Sequence, residues 1–164
     1  MKITEASIQN IPLIQEVAEK SWQSAYSDIL SQEQIDYMLK MMYSAAEISS
    51  HLNNPDYHYF LIENEENCVG FIGFEHHYEP ETTKLHRIYL LPEAKGKGFG
   101  KAGIDFLKEK TSQSGDRRII LNVNKNNNAK AVYEKQGFTV YGEGIFDIGN
   151  GYVMDDFLME YCIK

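Results

Sequence analysis

The segment Leu85–Thr111, LHRIYLLPEAKGKGFGKAGIDFLKEKT, constrains this chain more than any other. Its apolar opening, Leu85 to Leu91, has strand length and is rich in branched and aromatic residues. Pro92 stops a ladder there, because proline has no backbone N–H to donate. Gly96, Gly98 and Gly100 follow at every second position, interleaved with Lys95 and Lys97 and closed by Lys101. From Lys101 an amphipathic pattern begins, with Ala102, Gly103, Phe106 and Leu107 on one side. Strand, glycine turn and helix in this order aim free backbone N–H groups at one place. Glycines without side chains let an anion approach them. The expected guest is a phosphorylated cofactor.

Three phosphate-binding patterns compete for this loop. The ATPase form, Gly-x-x-x-x-Gly-Lys-Ser/Thr, fails at both ends: closed on Gly100-Lys101, it puts Lys95 and Ala102 where glycine and the hydroxyl belong. The dinucleotide form, Gly-x-Gly-x-x-Gly, fits literally as Gly98, Gly100 and Gly103. That site needs an acid near the end of the next strand, and Arg117–Asn124 (RRIILNVN) ends in asparagine. A third form, Gln/Arg-x-x-Gly-x-Gly/Ala, fits Lys95-Gly96-Lys97-Gly98-Phe99-Gly100, with Lys95 in place of Gln or Arg. In this the segment resembles the pyrophosphate loop of the acetyl-CoA-dependent GNAT N-acetyltransferases.

A second stretch carries the same resemblance. Residues 126–138, NNNAKAVYEKQGF, match the GNAT pattern Asn-x-x-Ala-x-x-x-Tyr-x-x-x-Gly-Phe at every fixed position. Alone it reads as a short helix: an asparagine cap, a buried face of Ala129, Val132 and Tyr133, and a Gly137 stop. One strand downstream of the glycine loop, the two motifs together identify the chain as similar to that family. Within it, Arg87-Ile88-Tyr89 and the acidic, aromatic stretch Ile145–Met159 most resemble the bacterial polyamine (spermine/spermidine) acetyltransferases.

The remaining segments suit such a fold. Lys2–Ile8 reads as a strand, and Asn10 and Pro12 open a helix carrying Leu13, Val17, Ala18, Trp22 and Tyr26. Ser31–Met42 begins as a capping box, and Ala45–Leu52 is another short helix. Tyr57–Glu63 and Cys68–Glu75 form a hairpin; Arg118–Val123 is a buried strand and Ala129–Gln136 a helix. Phe138–Tyr141 and Val153–Cys162 close the chain, bridged by a glycine-rich loop, Gly142–Gly151. The expectation is an α/β (α+β) fold: a mixed, mostly antiparallel sheet of roughly seven strands flanked by helices, in one domain spanning residues 1–164. The strands on either side of the Lys101 helix should be parallel neighbours. In the GNAT fold that pair splays apart to admit the cofactor.

Charge divides unevenly. Residues 1–83 hold 3 Lys/Arg against 14 Asp/Glu, whereas residues 84–130 hold 11 against 4, within a net charge of -8. Positive charge therefore gathers around the glycine loop, and acidic segments flank it. The balance suits an anionic cofactor beside a cationic substrate and argues against nucleic acid as partner. No apolar run reaches the ~20 residues of a membrane span, and MKITEASIQN lacks a signal-peptide core. Cys68 and Cys162 sit inside apolar runs and read as buried free thiols, so a cytoplasmic setting is expected.

The resemblance then implies roles. Acetyl-CoA is the cofactor and a primary amine on a small molecule the acceptor, with a homodimer compatible. Protein N-terminal or lysine acetylation, or a non-catalytic acyl-CoA sensor, would use the same cofactor residues. The backbone of Ile88, Tyr89 and Leu90 would line the pantetheine. Lys95, Gly96, Lys97, Gly98, Phe99, Gly100 and Lys101 would cradle the pyrophosphate, and Asn126 would touch the cofactor arm. Tyr133 would both contact the cofactor and protonate the leaving sulfur. Trp22, Tyr26, Asp28, Asp147, Asp155 and Asp156 would select a cationic substrate. The base is open among Glu75, His76, His77, His86 and a water. His76-His77 with Glu75 lacks further ligands at metal spacing, so no metal is expected.

Overall fold

The computed structural model describes residues 1–164. Seven strands are present: β1 Lys2–Glu5, β2 Tyr57–Asn64, β3 Asn67–Glu79, β4 Thr82–Leu90, β5 Arg118–Asn124, β6 Thr139–Gly149 and β7 Tyr152–Cys162. Five α-helices accompany them: α1 Ile11–Tyr26, α2 Gln32–Met42, α3 Ala45–Leu52, α4 Phe99–Ser114 and α5 Ala129–Lys135. The sheet runs β1-β2-β3-β4-β5-β7-β6. Every neighbouring pair is antiparallel except β4–β5, which the α4 crossover makes parallel, as expected.

One face of the sheet is covered by α1–α3 and the other by α4 and α5. On the first, Trp22, Tyr26, Ile35, Met38 and Ile48 pack on Tyr59, Leu61 and Phe71. On the second, Ile104 and Leu107 of α4 pack on Ile72, Phe74, Leu85, Ile119 and Leu121. Gly103 lets α4 lie close to β4, since a Cβ there would stand 3.0 Å from Ile88 Cδ1. Opposite this, the buried Arg87 of β4 donates to Tyr59 Oη at 2.7 Å and lies 4.5 Å from the Tyr43 ring.

Local chemistry corrects several sequence expectations. The first strand ends at Glu5, and a 3-10 turn, Ile8–Asn10, follows because Asn10 Oδ1 accepts from the Ser7 N–H at 2.8 Å. Only half of the Ser31 capping box forms: Ser31 Oγ accepts from Gln34 N–H, while the Gln34 amide donates instead to the Val153 carbonyl at 3.2 Å. Gly142–Gly149 is strand, not loop. Pairing with β7 imposes it, and glycine leaves room there for the Leu158 and Phe146 side chains. Val132 is 49% exposed, because Ala129 and Tyr133 form the inward stripe of α5 and the position between them turns outward. Cys68 is half-buried, but Cys162, last in β7, is exposed.

Candidate active site

The site begins where β4 and β5 part. Their pairing runs from Thr82↔Arg118 to Leu85↔Leu121 and stops. Beyond it β4 continues to Leu90, still paired to β3, and β5 continues to Asn124, still paired to β7. A bulge drives the separation: Gly73 opposes Arg87 and Phe74 opposes Leu85, leaving His86 as the extra residue in β4. The inner edges of His86–Leu90 and Asn122–Asn124 therefore face a gap with no strand between them.

At the open end of this gap lies the glycine loop. Gly96 (φ 77°) and Gly98 (φ 88°) are left-handed, and a Cβ on either would meet nothing within 4 Å. Gly98 caps α4 without a side-chain bond, and the first backbone bond of the helix runs from Ala102 N–H to the Gly98 carbonyl. The N–H groups from Gly96 to Lys101 therefore have no acceptor within the chain. A row of free donors around a cradle clear of side chains fits a pyrophosphate. Lys95 and Lys97 are exposed beside it, Lys101 pairs with Asp105 at 2.7 Å, and buried Phe99 anchors the loop against Ile62 and Ala94. The gap itself fits an extended arm of the same ligand, bounded by Ile88, Tyr89 and Leu90.

Deeper in, side chains from four elements converge. The Tyr26 hydroxyl, at the end of α1, lies 3.4 Å from Tyr89 Oη of β4 and accepts from Asn127 Nδ2 at 3.4 Å. Burial raises the pKa of Tyr26, the nearby Asp156 carboxyl adding to it. The Tyr133 ring packs on Phe138 below the sheet, while its hydroxyl is close enough to Tyr26 to feel its charge. Burial is the main force raising its pKa, so the phenol holds its proton at neutral pH. On β7, Met154 and Asp156 face α1 and α2, whereas Asp155 faces away and pairs with Lys125 at 3.1 Å.

Several residues named from the sequence lie elsewhere. Trp22 is 1% exposed, enclosed by Tyr26, Tyr43 and Tyr89, with its indole N–H on Tyr43 Oη, so it supports the floor from beneath. Asp28 is exposed in the turn after α1. Asp147 is spent on the hairpin tip, accepting from Gly149 N–H at 2.8 Å. Asn126 is exposed, its N–H bound to Asn124 Oδ1; its neighbour Asn127 is the residue that reaches Tyr26. Among the proposed bases, His77 Nδ1 is tied to Asp116 at 2.8 Å and His76 Nδ1 to Thr83 Oγ1 at 2.8 Å. Glu75 and His86 bind one another at 3.0 Å. Sequence reading missed Asn124, Asn127 and Tyr89 as side chains of this cluster. The asparagine run before Ala129 was the available signal.

Several known proteins resemble this chain. A match to the Acetyltransferase (GNAT) family covers residues 13–138. The 5-NmdU N-acetyltransferase of Pseudomonas phage PaMx11 is 38% identical over 86 residues, 52% of this chain and 59% of that protein. The spermidine N(1)-acetyltransferase of Thermoplasma acidophilum is 27% identical over 145 residues, 85% of this chain and 89% of that one. The crystal structure of the PaiA N-acetyltransferase from Thermoplasma acidophilum, in complex with coenzyme A, superposes with a TM-score of 0.81 at 24% identity over 98% of both chains. With its splayed parallel strands, its free amides at the head of α4 and a match over most of its length, this chain belongs to the acetyltransferase (GNAT) family.

Proposed function

We propose that this N-acetyltransferase acts, as a single domain, on the primary amine of a small polycation, a polyamine such as spermidine. When bound, acetyl-CoA supplies an acetyl group activated as a thioester. The amides of Gly96 to Lys101 hold its diphosphate, and the β4 edge from Ile88 to Leu90 orients its arm. Tyr133 holds a proton on Oη for the departing sulfur. Its burial keeps that proton in place until it is needed.

The observation that carries the small-molecule reading is a strap across the acceptor side. Tyr37 of α2 donates to the Ile148 carbonyl at 2.9 Å and packs its ring 5.3 Å from Tyr152, while Gln34 bonds the Val153 carbonyl. Helix α2 is thereby tied to the β6–β7 hairpin beside Met154, on the face of β7 that Asp156 shares. An extended peptide needs an open groove there; a slender amine does not. The acidic character of both flanking segments favours a cation. The spermidine N(1)-acetyltransferase likeness, at 27% identity, supports the same substrate class.

Thiol release from acetyl-CoA, measured with spermidine, spermine, lysine-containing peptides and free N-terminal peptides, tests this. Turnover with the polyamines and none with peptides is expected. Turnover confined to peptides would replace it with protein acetylation, and coenzyme A uptake without any turnover would make the chain a sensor.

A further inference from the structure

We infer that Asp156 is the catalytic base, the group that takes the proton from the incoming ammonium on the α1–α2 side of the β4–β5 gap. The inference rests on the amine-acetyltransferase reading and adds the residue that the reading lacks.

Asp156 is 7% exposed, and its Oδ1 is buried with no hydrogen-bond partner in the protein. A carboxylate in that state is expensive unless something outside the chain completes it. No structural task accounts for it. It caps no helix and joins no ion pair, unlike Asp116, Asp147 and Asp155, each of which has a partner within the chain. It lies one strand away from the gap between β4 and β5. Its strand partners are Asn124, whose inner edge borders the gap, and Gly144, whose open face carries the Phe146 ring.

Charged and titratable groups approach it from each side. The Asp156 carboxyl lies near enough to Tyr26 of α1 to help raise that phenol's pKa. Lys84 of β4 favours the ionised carboxyl, and Asp155, next in β7, opposes it. Burial dominates and lifts Asp156 to about 6. A base of that strength is largely ionised at neutral pH and still accepts a proton readily. Tyr133 packs with the α4–α5 layer, whereas Asp156 shares the α1–α2 face with Met154, so acid and base belong to opposite faces of the sheet.

The step is a proton transfer. An N–H bond of the ammonium breaks, its electron pair stays on nitrogen as the nucleophilic lone pair, and the proton bonds to an Asp156 oxygen. The positive charge of the substrate and the negative charge of the carboxylate cancel. Glu75, His76, His77 and His86 are already tied to one another or to Asp116 and Thr83, which leaves Asp156 as the unengaged acceptor in the cluster.

Wild type, Asp156→Asn and Asp156→Glu decide the matter. Carbon-13 NMR of aspartate carboxyls, with and without coenzyme A, should show one resonance titrating near pH 6 in wild type and absent from Asp156→Asn. Calorimetry should give coenzyme A affinities within about twofold for all three. For spermidine, wild-type kcat/KM should rise through about pH 6 and then level. In Asp156→Asn it should fall roughly thirty- to a thousandfold at pH 7, then climb about tenfold per pH unit towards the amine pKa of ~10, because only free amine reacts. Asp156→Glu should retain the acidic limb. A wild type in which no aspartate titrates above pH 5 overturns the inference without reference to any substrate. So does an Asp156→Asn enzyme with raised KM but unaltered kcat and pH limb, which would make the residue an anchor only. If wild type ignores spermidine, the polyamine reading falls, and the same pH comparison is read with whichever amine of a primary-amine panel it does accept.

Discussion

In the proposed mechanism, burial gives opposite roles to Tyr133 and Asp156, two residues that share Tyr26 as a neighbour. The phenol is pushed up and stays protonated; the carboxyl is pushed to about 6 and becomes a usable base. Replacing Tyr133 by Phe removes one hydroxyl and leaves the ring on Phe138. Turnover should drop by roughly ten- to a thousandfold, with coenzyme A affinity changed less than about twofold, which kinetics and calorimetry separate. Asp156 carries a stability consequence as well. Its folded pKa lies above the ordinary 3.8, so folding favours the protonated form. The stability it contributes is complete below pH 4 and is lost as pH rises through about 6. Asp156→Asn should therefore melt higher than wild type at pH 8, by about 2–4 °C for ~1 kcal/mol, and the gain should vanish at pH 4. Calorimetric melting at both values checks it; a lower Tm at pH 8 would mean that the carboxylate is held by bonds to the protein.

At the scale of elements, the glycine loop and helix α4 form one device whose working parts are amides. That explains why the loop is legible in sequence: glycine adopts the left-handed conformation of Gly96 and Gly98 most readily, and their spacing reports it. Gly98→Ala, at φ 88°, meets no steric obstacle but forces a side chain into a left-handed backbone. It should cost about 1 kcal/mol of stability and weaken coenzyme A binding roughly ten- to a hundredfold, because the Cβ enters the cradle and the amides re-aim. Lys95→Ala, an exposed charge in water, should weaken it only about threefold; titration calorimetry on both variants orders the two effects. Other elements were harder to read. Helix α4 starts at Phe99, two residues before its apolar pattern suggests, because the left-handed Gly98 turns the chain earlier. The Gly142–Gly149 stretch looks like a loop by composition, yet β7 supplies a ladder and turns it into strand. Asp155 and Asp156 look equivalent in sequence; strand alternation separates them, and which one faces the site depends on where β7 lies relative to α1 and α2. Long-range pairing carries that information, and no local window contains it.

Across the whole molecule, the end of the sheet opposite the glycine loop is closed by one carboxylate, and two of the three histidines that looked chemical in sequence, His76 and His77, gather around it. Asp116, 2% exposed just before β5, accepts from the His77 N–H at 2.8 Å, His77 Nδ1 at 2.8 Å and Thr83 Oγ1 at 2.7 Å. It thereby fastens β3, β4 and β5 together below the point where β4 and β5 diverge, and the gap above can stay open without the sheet parting. Burial alone would raise its pKa, but the His77 amide and the Thr83 hydroxyl outweigh that and hold it below the usual carboxylate value. Its stabilisation is thus present above pH 4 and fades as pH falls towards its lowered pKa. Asp116→Ala should remove ~3 kcal/mol at pH 7, since charge-assisted bonds are lost and buried donors are left open, lowering Tm by about 6–12 °C. At pH 3 the difference should narrow, because wild type has itself begun to lose the contribution. Coenzyme A affinity, measured at a temperature where the variant is still folded, should stay within about threefold, as the glycine loop lies at the other end of β4. A variant that melts like wild type at pH 7 would show that the strands are held together without this clasp.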